Sequence, residues 1–73
     1  MTPDDEHDAL YDEASGCVAV GDLAQAIGYY RQTVALDAEF FDGWHSLGMA
    51  LLKAGDIKEA IGAGLMATTL RPN

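Results

Sequence analysis

The sequence predicts an all-α fold of four helices, arranged as two helix–turn–helix units. Three observations predict it. Shifted by 34 residues, the chain aligns Asp8 with Asp42, Gly21 with Gly55, Asp22 with Asp56, Ala26 with Ala60, Ile27 with Ile61, Gly28 with Gly62 and Leu36 with Leu70, without a gap. Self-similarity at a period of this size marks stacked supersecondary units. Apolar residues recur at helical spacing, most clearly Phe41, Trp44, Leu47, Gly48 and Leu51. Finally, 49% of the 73 residues are apolar, which implies a packed core rather than a disordered acidic tail.

The helices are expected near 3–20, 23–36, 40–54 and 57–70. The first begins with Thr2 as N-cap, Pro3 at the first helical position and Asp5 three residues beyond the cap. In the run Asp4-Asp5-Glu6-His7-Asp8 the carboxylates oppose the positive end of the helix dipole, and His7 reads as exposed. Gly21 ends this helix in the left-handed conformation and Asp22 caps the next, with Gln25 completing a capping box. The third helix carries the apolar stripe and is broken by Ala54-Gly55-Asp56. Asp56 and Glu59 then open the fourth, and Arg71-Pro72 closes it. The expected core is Leu10, Cys17, Leu23, Ala26, Ile27, Tyr30, Trp44, Leu47, Leu51 and Ile57.

The second unit reads Trp44-x-x-Leu47-Gly48-x-x-Leu51, then Ala60, Ala67 and Pro72. This resembles the tetratricopeptide repeat (TPR), whose 34-residue pattern is W-x2-L-G-x2-Y…A-x3-F…P. The first unit fits more loosely. Leu10, Glu13, Ala14 and Cys17 stand at the Trp, Leu, Gly and Tyr positions, whereas Ala26 and Tyr30 match. Gly64 departs sharply, standing where a large aromatic belongs. The resemblance implies a single domain over 1–73, with repeat one about 7–40 and repeat two about 41–73. Its four antiparallel helices would stack as a short right-handed superhelical array.

The resemblance also implies function: a non-enzymatic module that binds a peptide or helix of another protein in a concave groove. Mapped residue by residue, the groove comprises Asp8, Tyr11, Asp12 and Ser15 of the first repeat with Asp42, His45, Met49 and Lys53 of the second. Some family members grip a C-terminal carboxylate with a Lys, Asn and Arg clamp. Here Tyr11, Ser15, Asp12, His45, Met49 and Ser46 stand in those places, so a chaperone-tail receptor is not expected. Carboxylates at the mouth would favour a basic or neutral segment.

Composition excludes other classes. The net charge of −8 argues against nucleic-acid or anionic-membrane phosphates, and no apolar run approaches the ~18 residues of a membrane span. The single Cys17 rules out an internal disulfide framework or a multi-cysteine zinc site, and it reads as a core residue with no nearby base to activate it. Asp42 and His45 have ligand spacing but no second histidine in reach, so no metal, cofactor or catalytic residue is assigned. A cytoplasmic location is expected from the absence of a signal, a span and a paired cysteine. Ending at Arg71-Pro72-Asn73, the chain also reads as a piece cut at a repeat boundary.

A second reading is a self-assembling structural unit. Residues 60–70 carry no charge, and a helix apolar all round is normally buried on more than one side. Ile61, Gly64, Leu65, Met66 and Leu70 are the expected contacts of a homo-oligomer. A two-fold dimer is preferred, because closed symmetric contacts are the commonest.

Overall fold

The two Gly-Asp pairs set the architecture. Gly21 and Gly55 have φ of 83° and 89°, the left-handed conformation that a side chain resists. Asp22 and Asp56 follow with nearly identical backbone angles (φ −88°, ψ 75° and φ −89°, ψ 74°), and their carboxylates accept from the N–H groups of Gln25 and Glu59 at 3.2 and 3.3 Å. The turn bonds repeat as well. Asp22 N–H donates to Cys17 at 2.8 Å, as Asp56 N–H does to Leu51 at 2.9 Å. The turns are one hydrogen-bonded structure, occurring twice, 34 residues apart.

These turns separate four helices: α1 (Pro3–Ala19), α2 (Leu23–Leu36), α3 (Phe41–Ala54) and α4 (Ile57–Leu70). The computed structural model describes residues 3–72, with side chains from residue 6 onward. The expected cap at Thr2 and the side chain of Asp5 lie outside that range. The fold is all-α, as the sequence predicts, and the helix boundaries agree to within one residue. Extensive packing joins α1 to α2, α2 to α3 and α3 to α4, giving principal extents of 34 × 31 × 17 Å.

The core is built from small residues. Ala14, Ala26, Ala50, Ala60 and Ala63 are buried beside Tyr30, Val34, Leu47 and Leu51. Short side chains let the helix axes approach closely. A Cβ built on Gly43 would lie 3.0 Å from Val34 Cγ1, so α3 packs on α2 there with no room for a larger side chain. Thr33 is fully buried and returns its hydroxyl to the Tyr29 carbonyl at 2.9 Å. Among the described residues, no buried side-chain nitrogen or oxygen lacks a hydrogen-bond partner.

Several expectations need correction. His7 is only 7% exposed, not a surface residue: its ring stands edge-on to Phe40 at 4.6 Å and its Nε2 lies 3.3 Å from Asp8 and 3.8 Å from Asp37. Ile57 is 50% exposed, because no element packs on that side of α4. Of the expected core, Ala26, Tyr30, Leu47 and Leu51 are buried, while Leu10, Cys17, Leu23, Ile27 and Trp44 are half-buried. The capping box at α4 is only half made. Asp56 caps, but the Glu59 carboxylate reaches across to Arg31 of α2, 2.6 Å from Nη2.

Candidate functional site

α1 and α3 run in the same direction. Phe40 at the start of α3 touches His7 near the start of α1, and Val18 near the end of α1 shares a cleft with Ala50 and Lys53 near the end of α3. Residues predicted to form one face therefore come from two adjacent, parallel helices.

The structure brings His45, Met49 and Lys53 together in a cleft of about 200 Å³, completed by Val18, Tyr30, Ser46 and Ala50. Tyr11 and Ser15 support it from α1. The hydroxyl groups of Tyr11 and Ser46 are hydrogen-bonded at 3.1 Å, and those of Ser15 and Tyr30 at 3.3 Å. The Tyr11 ring packs against Tyr30 and Phe40 at 5.6 and 5.4 Å, which holds it between the helices. Asp8, Asp12 and Asp42 are exposed and do not line this cleft. Sequence reasoning assigns Tyr30 to the core alone, yet it also lines the cleft from α2, and it sets Ser46 at a clamp position without including it in the groove. Tyr30 lies on the partner helix, where the spacing along α3 gives no signal for it.

The cleft offers apolar contact from Val18, Met49 and Ala50, paired hydroxyls, a lysine and a histidine. Among the described residues no three His, Cys, Asp or Glu side chains come together as a metal site. Cys17 of α1 does not line the cleft and lies 4.0 Å from the Gln25 side-chain oxygen. Desolvation pushes its thiol pKa up, and the carboxylates of Asp22 and Glu13 push it further in the same direction.

A second groove, of about 300 Å³, opens between α3 and α4. Gly48 and Gly64 form its floor, with Leu52, Ala60 and Ala67 along its length, and Phe41, His45, Thr68 and Arg71 at one end. His45 stacks on Phe41 at 5.7 Å and 16°, and the Arg71 guanidinium lies 4.4 Å above the same ring. Of the residues expected to self-associate, Gly64 turns into this groove. Ile61 and Leu65 lie instead on an outer ridge with Ile57, all at least half exposed, while Met66 is 39% exposed and Leu70 is half-buried. No helix among the described residues is long and apolar enough to cross a membrane. No protein-family model and no curated protein matches the chain.

Proposed function

We propose that this chain is a non-enzymatic protein-interaction module of two TPR-like repeats, and that it binds a peptide or helix of another protein on the face shared by α1 and α3. The observation that carries the reading is the pairing of Tyr11 with Ser46 and of Ser15 with Tyr30 beside an open cleft. Polar groups so held keep their register while Met49, 47% exposed, remains available for apolar contact. The repeated turns and the packing of helices in chain order support the TPR-like arrangement. A cytoplasmic setting is part of the same proposal.

Peptides selected from a random library against the native chain test it. Their affinity is expected to fall about tenfold or more in the double variant His45→Ala, Met49→Ala, as loss of two interface contacts implies. Affinity unchanged within error would defeat the groove assignment.

The second reading, a homodimer through α4, is favoured by one observation: Ile57, Ile61 and Leu65 form an exposed apolar ridge. Light scattering across a concentration series separates the two. A dimer that Leu65→Glu dissociates supports self-assembly, and a monomer of 7.8 kDa at every concentration removes it.

A further inference from the structure

The groove between α3 and α4 corresponds, position by position, to the seat on which α3 itself rests. Three sets of contacts hold α3 on the first hairpin. Phe40 packs on His7 and Tyr11, and Ser46 bonds Tyr11. Gly43 fits against Thr33 and Val34, whose methyls would lie 3.3 and 3.0 Å from an added Cβ. Ala50 sits beside Val18 and Tyr30. Moved on by 34 residues, the first-hairpin side of these contacts becomes Phe41, His45, Ala67, Thr68, Leu52 and Gly64. All six line the open groove. The turn that joins α3 to α4 has the same hydrogen bonds as the turn that joins α1 to α2.

We infer that this groove seats an amphipathic helix from a partner protein, running parallel to α3, with an acidic first turn and a bulky apolar side chain opposite Gly64. The direction follows from α3, which runs parallel to α1 on its own seat. The charge follows from a substitution between the hairpins. Where the first seat has Asp37 and Tyr11, the second has Arg71 and His45. A helix N-terminus placed against Arg71 brings its positive dipole end to a cation, and carboxylates in its first turn reverse that repulsion. The bulk follows from Gly64. Tyr30, at the matching position, is 4% exposed, packs its ring on Tyr11 of α1 and lines the cleft beside Ala50 of α3, whereas a Cβ at Gly64 would meet nothing within 4 Å. The incoming helix must fill that space itself.

The α1 of a second copy opens with carboxylates but lacks the apolar face. In the same register its α1 would present Glu13 where α3 presents the buried Leu47, and Gly16 where α3 presents Ala50. A carboxylate would enter an apolar wall without a partner, and the space over Gly64 would stay empty. The groove shares His45 and Met49 with the cleft proposed above, but Leu52 and Gly64 line the groove alone. The two surfaces can therefore be tested apart.

The probes are two peptides spanning residues 38–54 of this chain, both carrying Phe41→Glu to make the first turn more acidic, one with Ala at position 50 and one with Ala50→Leu. Each is titrated into the isotope-labelled chain and followed by NMR. The Leu peptide is expected to bind about tenfold tighter than the Ala peptide, from the apolar surface it buries over Gly64. Gly64→Tyr should reverse that preference, and Leu52→Asp should abolish binding of both. Circular dichroism checks that each variant is folded, and Thr68→Glu replaces Leu52→Asp should that one unfold. Four results overturn the inference: equal affinity for the two peptides, no reversal in Gly64→Tyr, binding that survives Leu52→Asp (replacement of the chain's own α3), or shifts confined to Val18 and Lys53. Self-association of the chain alone that Leu52→Asp dissociates would assign the groove to a second copy, and also overturns it.

Discussion

Gly43 and Val34 are in the closest helix-to-helix approach described above: a Cβ on Gly43 would lie 3.0 Å from Val34 Cγ1 and equally close to the Phe40 ring. Val34 is 6% exposed and has little room to give. Gly43→Ala is therefore expected to destabilise the chain by about 1–2 kcal/mol, the cost of overpacking less the gain in helix propensity. Gly48→Ala is the contrasting case. Its Cβ would lie 3.5–3.6 Å from Ala60, Ala63 and Gly64, which is ordinary contact, so a gain of about 0.5–1 kcal/mol is expected. Urea midpoints of opposite sign for the two variants would verify the difference.

The turns predict a matched pair of losses. Gly21→Ala and Gly55→Ala each force a side chain into the left-handed region, at about 1–2 kcal/mol. Neither site has a neighbour within 4 Å of the added Cβ, so conformation alone sets the cost and the two values should agree. A Gly21 loss more than twice that of Gly55 would contradict the equivalence of the turns.

Much of this is legible in the sequence. The 34-residue shift located both turns, and the positive φ values at Gly21 and Gly55 follow from the need to end a helix abruptly. His7 was not legible. Set among four acids it reads as surface, and what packs on it is Phe40, thirty-three residues away. Glu59 is misread for a related reason: spacing shows a local capping partner, while Arg31, twenty-eight residues away on α2, becomes its neighbour only in the folded chain. In the cleft, His45, Met49 and Lys53 are reached through the resemblance to the tetratricopeptide repeat, mapped position by position onto one helix. Tyr30 is not, because it arrives from another element.

Arg31 and Glu59 link α2 to α4, yet their side chains are 52% and 43% exposed. Solvent screens such a pair. A double-mutant cycle with Arg31→Ala and Glu59→Ala should give a coupling of about 0.2–1 kcal/mol, shrinking as salt is added. A larger, salt-insensitive value would contradict this screening.

Trp44 is half-buried, and its indole Nε1 donates to the Ala38 carbonyl at 2.8 Å. Trp44→Ala should cost about 2–3 kcal/mol, short of the ~3–5 kcal/mol of a fully buried ring. Trp44→Phe, which keeps most of the packing but not the hydrogen bond, should cost about 1 kcal/mol. Thermal denaturation of both variants checks the ordering.

Cys17 should be a slow nucleophile. Its raised pKa leaves less thiolate at neutral pH, so alkylation by iodoacetamide is expected to run slower than for a free cysteine. Removing the two carboxylates with Glu13→Gln and Asp22→Asn lowers the pKa and should quicken the reaction, while Asn retains the helix cap. A rate that does not rise would show that desolvation alone holds the thiol.

Since the extensive helix pairings join only consecutive elements, the chain has short loops to close before its main contacts form. Topologies of this sort fold in about microseconds to milliseconds. α2 and α3 each pack extensively on two helices, whereas α1 and α4 each pack extensively on one, so opening should begin at the ends. Hydrogen exchange would then grade inward, with amides of α1 and α4 losing protection first and the α2–α3 seam around Val34 and Gly43 last.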